Sequence, residues 1–116
     1  MYEYLALCER VVDGDTIDVR IDLGFDVSVK KRVRLLGINT PETYGTKKGS
    51  VEWQKGMDAK WFVTDLIEGK KIWVKTHLDK TGKYGRVLAQ IYHAGLDAKS
   101  LNDLLVESGH AVVYGS

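Results

Sequence analysis

Three stretches of this 116-residue chain carry side chains that could do chemistry together. Asp13 and Asp15 flank Gly14. Arg34 is followed by Leu35-Leu36-Gly37-Ile38 and then by Asn39, Thr40, Pro41 and Glu42. Lys80, Lys83, Tyr84 and Arg86 come later. Hard cations such as calcium take carboxylate, carboxamide and carbonyl oxygens, and Asp15, Asn39 and the Thr40 carbonyl offer one of each. A planar guanidinium meets phosphate oxygens two at a time, so Arg34 and Arg86 could clamp a phosphate. Glu42 is the free carboxylate best placed to act on a water. A cation, a carboxylate and two arginines are the parts that phosphodiester hydrolysis needs: a Lewis acid, a group for the water, and charge to meet the added negative charge.

Each stretch also has a plainer reading. Asp13-Gly14-Asp15 is ordinary hairpin chemistry. Residues 34–42 are a polar turn after a strand, and Tyr84-Gly85-Arg86 is a turn with a solvated arginine. Lys30-Lys31-Arg32 and Lys47-Lys48 read as solvated charge. His77, His93 and His110 are spread out beside a lone cysteine, which argues against zinc. No serine–histidine or cysteine–histidine nucleophile pattern is present.

The elements that must position these residues follow from periodicity. Tyr2 to Val12 alternates as a strand, with Tyr2, Tyr4, Ala6 or Leu5, Leu7 and Val11 as candidate inward residues. Thr16 to Leu23 is a second strand with Ile17, Val19, Ile21 and Leu23 on one face. Val27 to Leu36 is a third, with a bulge expected near Lys31. Pro41, the only proline, fixes its own φ and holds Thr40 extended, so the polar corner after strand three has a defined shape. Residues 44–50 form a polar loop. A helix follows from Val51 or Trp53 to Ile67, with Trp53, Met57 and Trp61, widened by Phe62 and Leu66, as its expected core stripe. Gly56 within it costs about 1 kcal/mol relative to alanine, and Gly69 suits the position after the helix end. Lys70 to His77 and Val87 to His93 read as strands four and five. Ser100 caps a second helix to Ser108 with Leu101, Leu104 and Leu105 as its apolar face, and an apolar tail runs from Ala111 to Tyr114. The order is β-β-β-α-β-β-α, that of a five-stranded OB-fold barrel in a mostly β, α+β class.

Composition sets the remaining bounds. The length fits one domain over residues 1–116. A net charge of +1 argues against a protein that coats nucleic acid by bulk charge and leaves room for a local basic site. Cys8 has no partner for an internal disulfide and reads as a small buried hydrophobe. There is no stretch suited to span a membrane and no basic start followed by an apolar run, so the expected setting is cytoplasmic or that of a mature secreted form.

Taken together, Val12-Asp13-Gly14-Asp15-Thr16, Arg34 to Glu42, Lys83-Tyr84-Gly85-Arg86 and Asn102 to Gly109 resemble the staphylococcal nuclease (thermonuclease) family, in its order and at its spacing, over nearly the whole chain. The resemblance implies an OB-fold barrel with helices and a calcium-dependent nuclease acting as a monomer on DNA or RNA, preferably single-stranded, with one Ca2+ per site. It implies metal ligation by Asp15, Asn39 and the Thr40 carbonyl, with Asp13 holding metal-bound water. It implies catalysis by Glu42 at the attacking water and by Arg34 and Arg86 at the scissile phosphate. Lys83 and Tyr84 would contact the terminal phosphate of a bound nucleotide. Asn39 departs from the family pattern, which has aspartate there; the carbonyl oxygen is kept and a charge is lost, so weaker metal binding is expected. The longer helical C-terminal segment of the best-known member does not follow the second helix, and Tyr114 only partly replaces its tyrosines. The competing expectation is a catalytically weak or inactive OB-fold module of this type that binds single-stranded nucleic acid.

Overall fold

The computed structural model describes residues 2–81 and 87–114, with backbone alone at 78–81. The elements are β1 (Tyr2–Asp13), β2 (Thr16–Asp22), β3 (Ser28–Leu35), β4 (Ile38–Asn39), α1 (Val51–Ile67), β5 (Lys71–Thr81), β6 (Val87–Tyr92), α2 (Leu101–Glu107) and β7 (Val112–Val113). The first three strands form the expected antiparallel meander, turning at Gly14-Asp15 so that Asp13 faces Thr16. β3 then pairs in parallel with β6 through Val33–Val87, Arg34–Leu88 and Leu35–Ala89. β6 pairs with β5 and β5 with β1, which closes a five-stranded barrel in the order β1-β2-β3-β6-β5. This is the OB-fold expected from the element order, with Ile17, Val19, Val33, Leu35, Val74 and Ile91 filling its interior.

Cys8 is fully buried, as expected, and burial pushes its thiol up to about 12, with the Glu68 carboxylate adding to the effect. It is a packing residue.

Three expectations need correction. β3 carries no bulge at Lys31: its register with β2 is unbroken from Thr16–Arg34 to Asp22–Ser28. Lys31 simply takes an odd, inward-phase position near the strand's exposed start. The irregularities lie in β1, between Cys8 and Arg10 and between Val11 and Asp13. They switch the inward phase from Ala6 and Cys8 to Val11, so Leu5 and Leu7, in Val11's phase but before the switch, are not buried, while Tyr2 and Tyr4 share the phase of Ala6 and lie toward the strand's start. The Val11 N–H beside the bulge donates to Glu68 Oε2 at 3.0 Å, tying β1 to the end of α1.

The second correction concerns the core face of α1. The helix starts where expected, with Ser50 Oγ accepting from the Trp53 N–H. Its buried residues, however, are Gly56, Ala59, Val63 and Ile67, while Trp61 is 51% exposed and Trp53 and Met57 are only half-buried. Third, two short strands were not anticipated. β4 pairs with β7 through Ile38–Val113 and Asn39–Val112, and the Tyr114 N–H donates to the Gly37 carbonyl at 2.8 Å. The segment read as an apolar tail is thus zipped onto the polar corner after β3. Two-residue strands carry no periodicity to detect.

Candidate active site

The polar corner is built by four elements meeting at one end of the barrel. The hairpin turn between β1 and β2 supplies Asp13 and Asp15. The end of β3 supplies Arg34, and β4 with the residues after it supplies Asn39, Thr40 and Glu42. All six side chains line one cleft of about 950 Å³.

Asp15 is its hub. The residue is buried, and its two carboxylate oxygens have separate partners. Oδ1 accepts from the Thr16 hydroxyl at 3.1 Å, and Oδ2 accepts from the Thr40 N–H at 3.1 Å and lies 3.4 Å from Arg34 Nη2. Its backbone carbonyl accepts from the Leu35 N–H at 2.9 Å, which fixes the turn against β3. Arg34, only 14% exposed at its side chain, donates Nη1 to the Leu35 carbonyl at 2.9 Å and Nη2 to Asn39 Oδ1 at 3.0 Å. One cationic nitrogen therefore touches both Asp15 Oδ2 and Asn39 Oδ1. The two oxygens converge on a single point that already favours positive charge.

Around that point sit three further groups. The Thr40 hydroxyl is buried and has no hydrogen-bond partner. The Glu42 carboxylate is exposed at the cleft, its backbone held by the Thr46 hydroxyl on the Glu42 carbonyl. Asp13 accepts from the Thr43 hydroxyl at 2.7 Å. Burial raises the Asp13 carboxyl above its usual range and nearby Asp15 adds to this, while the Thr43 bond and Lys60 oppose it. Among the described residues no three histidine, cysteine, aspartate or glutamate side chains gather at one point. The oxygens on hand for a hard cation are one carboxylate, one carboxamide, a hydroxyl and backbone carbonyls, a donor set of the right class with a low charge.

The loop that carries Thr40 to Thr43 is seated directly on α1. A side-chain carbon at Gly56 would lie 2.7 Å from the Pro41 carbonyl oxygen, 2.9 Å from Thr43 Cγ2 and 3.1 Å from the Glu42 carbonyl oxygen. One at Gly14 would lie 2.8 Å from Ala59 Cβ and 3.0 Å from Thr40 Cγ2. The helix buries small residues because the backbone of the site presses onto it. Gly56→Ala gains about 1 kcal/mol of helix propensity, yet the clash is with backbone oxygens that hold the corner. The net expectation is a loss of about 1–3 kcal/mol, read by urea unfolding, with Pro41 and Glu42 displaced.

Sequence reasoning found Asp13, Asp15, Arg34, Asn39, Thr40 and Glu42, and the structure brings all six together. Lys83, Tyr84 and Arg86 lie outside the described residues, and Lys80 is described in its backbone alone, at the end of β5. Tyr44, His77, Leu88 and Tyr114 also line the cleft and were not foreseen as a group. His77 was set aside with the other histidines, but its Nε2 is buried without a partner. The signal that could have placed it is strand phase, which puts His77 on the same face as Trp73 and Lys75. Leu88 reaches the cleft because β6 runs beside β3, with Leu88 opposite Arg34.

Comparison with known proteins agrees with this geometry. The profile of the family described as "Staphylococcal nuclease homologue" matches residues 32–116. The chain is 33% identical over 116 residues to "Endonuclease YhcR" of Bacillus subtilis (strain 168), covering 97% of this chain and 9% of that protein. It is 37% identical over 106 residues to "SPbeta prophage-derived endonuclease YokF" of the same organism, covering 90% of this chain and 32% of that protein. It is 35% identical over 86 residues to "Thermonuclease" of Staphylococcus intermedius, covering 74% of this chain and 47% of that protein. The chain thus spans less than half the length of each of these relatives.

Proposed function

The chain belongs to the staphylococcal nuclease family, and from that premise we propose that it is a calcium-dependent nuclease that hydrolyses phosphodiester bonds of DNA or RNA, preferably single-stranded. The observation that carries this reading is the convergence of Asp15 Oδ2 and Asn39 Oδ1 on one cation-bearing point beside Arg34, Thr40 and Glu42.

Asp15, Asn39 and the Thr40 carbonyl would hold one calcium ion, with Asp13 fixing its water. Bound there, the ion supplies Lewis acidity and positive charge at the phosphate. Glu42, open to the cleft, positions the attacking water and takes its proton. The water oxygen forms the new bond to phosphorus and the bond to the leaving sugar oxygen breaks. Arg34 donates two parallel N–H groups to the phosphate oxygens as negative charge grows on them. Arg86 completes that clamp, and Lys83 and Tyr84 hold a terminal phosphate; these three roles rest on family membership. The test is cleavage of denatured DNA and of RNA with calcium titrated from zero, against a chelator control. Calcium-dependent cleavage is the expected result. Binding of single strands without cleavage at any calcium level would replace this reading.

That second reading, a weak or inactive module that binds single strands, is favoured by one observation: Asn39 brings a neutral oxygen to the cation point. Asn39→Asp adds a negative charge there. It is expected to lower the calcium concentration for half-maximal binding by about tenfold, the size of one added short-range charge interaction of about 1.4 kcal/mol. Calorimetric titration reads this directly. An unchanged midpoint would mean that Asn39 does not touch the ion.

A further inference from the structure

The outward face of the β1–β2–β3 sheet is an ordered lattice of charge that begins at the cleft. Strand register sets its rows. Thr16 lies opposite Arg34 at the cleft edge. The next outward row is Arg10–Asp18–Arg32, and the row beyond it is Arg20–Lys30. Successive outward residues of β3 are therefore Arg34, Arg32 and Lys30, advancing about 13 Å in all. A second hollow of about 370 Å³ lies on this face, lined by Glu9, Arg10, Asp18, Lys30, Lys31 and Arg32.

The acids of this face are already used. Asp18 is bound by Arg32 through both oxygens, at 2.8 and 3.1 Å, which holds its carboxyl below the usual range. Glu9 pairs with Arg20 at 3.2 Å. Arg10, Lys30 and Lys31 are exposed and make no ion pair among the described residues. Three uncompensated cations thus surround one hollow on a chain whose net charge is only +1. A solvated charge run needs no such arrangement. Here the two acids align Arg20 and Arg32 and leave Arg10 of β1 and Lys30 of β3 facing outward in the rows beyond Arg34, with Lys31, of the opposite phase, at the edge of the hollow.

We propose that this face is an extended binding site for the sugar–phosphate backbone of a single nucleic-acid strand, which leaves the cleft at Arg34 and runs outward over β3 to Arg10 and Lys30. The proposal rests on the nuclease reading for the position of the cleaved phosphate. The site contributes no base contacts, so it lends affinity without sequence preference. It gives a protein of net charge +1 a local basic track where global steering is lacking.

The test is the double variant Arg10→Ala/Lys30→Ala, at exposed positions whose loss leaves the barrel folded. Binding of a single strand of about 20 nucleotides, longer than one OB-type site covers, is measured by fluorescence anisotropy with chelator present. The salt dependence of that binding is expected to flatten by about 1.4 in log–log slope, two contacts at roughly 0.7 each. Affinity at low salt is expected to fall by about tenfold. With calcium restored, KM for the long strand should rise far more than KM for a dinucleotide phosphodiester, which is too short to leave the cleft. An unchanged slope and affinity would overturn the proposal, and so would an equal loss on both substrates, which would place the effect of Arg10 and Lys30 in the cleft. Because the binding arm needs no cleavage, an enzyme that cuts nothing would defeat the nuclease reading while the slope still decides this one.

Discussion

Replacing Arg34 by alanine is expected to leave a folded protein whose cleavage of single-stranded DNA has fallen by about a hundredfold to a thousandfold, the usual loss for one donor aimed at developing negative charge. The side chain is nearly buried and spans three partners: the Leu35 carbonyl, Asn39 Oδ1 and Asp15 Oδ2. Its removal still leaves Asp15 bonded to the Thr40 N–H and the Thr16 hydroxyl, so the structural cost is about 1–2 kcal/mol, well inside the stability of a domain. Circular dichroism should show a native spectrum. Calcium binding separates the causes. Arg34 Nη2 sits where Asp15 and Asn39 converge, so Arg34→Ala takes a positive charge away from the proposed ion site and should bind calcium at least as tightly as the parent. Lost cleavage with calcium binding kept identifies Arg34 as a phosphate clamp. Arg34→Lys restores the charge and lacks the planar fork, and it should fold well without recovering the rate. Cleavage within a few fold of the parent in Arg34→Ala would remove Arg34 from the reacting phosphate.

The site was legible in the sequence to the extent that its parts are local. Asp13-Gly14-Asp15 and Arg34 to Glu42 are short, and a hairpin turn and a proline fix their shape from neighbours alone. The barrel was legible because alternation in β2 and β3 has period two whatever lies beyond. The face of α1 was not. The large side chains of Trp53, Met57 and Trp61 make the stronger stripe by hydrophobicity, but burial went to Gly56, which lets the backbone of residues 41–42 come close, and to Ala59, which faces Gly14. A reading that scores side-chain bulk counts such glycines as a cost. The docking of β7 on β4 and the place of Leu88 in the cleft depend on contacts between distant segments, and no local pattern encodes them, whereas strand phase gives the face of His77 but not what lies across from it. Lys31 shows the reverse error: a charged residue in an apolar phase suggested a bulge, where the strand only runs out of core near its exposed start.

The second large effect lies outside the cleft, at Asn102. This buried side chain, 3% exposed, makes three hydrogen bonds that join three segments. Oδ1 accepts from the Ile91 N–H at 3.0 Å. Nδ2 donates to the Leu36 carbonyl at 2.9 Å and to the Ala89 carbonyl at 3.2 Å. It thus fastens α2 to β6 and to the segment that leads from Arg34 into the polar corner. Asn102→Ala leaves the buried Ile91 N–H and the half-buried Leu36 carbonyl without this partner, while the Ala89 carbonyl keeps the Leu36 N–H at 2.8 Å. Two stranded groups at 1–3 kcal/mol each give an expected loss of about 3 kcal/mol, read as a lower urea midpoint with the slope unchanged. Asn102→Asp separates lost bonds from lost shape. Its carboxylate would face two carbonyl oxygens in a buried site, so its folded pKa would stand above its unfolded one. That destabilisation is present in full at neutral pH and is relieved as pH falls through the folded value, where the protonated carboxyl can again donate to a carbonyl. Asn102→Asp should therefore be the less stable variant at pH 7 and approach the parent in mild acid, whereas Asn102→Ala should show no such recovery. Equal stability of the two variants at both pH values would mean that Asn102 fills space there and its bonds contribute little.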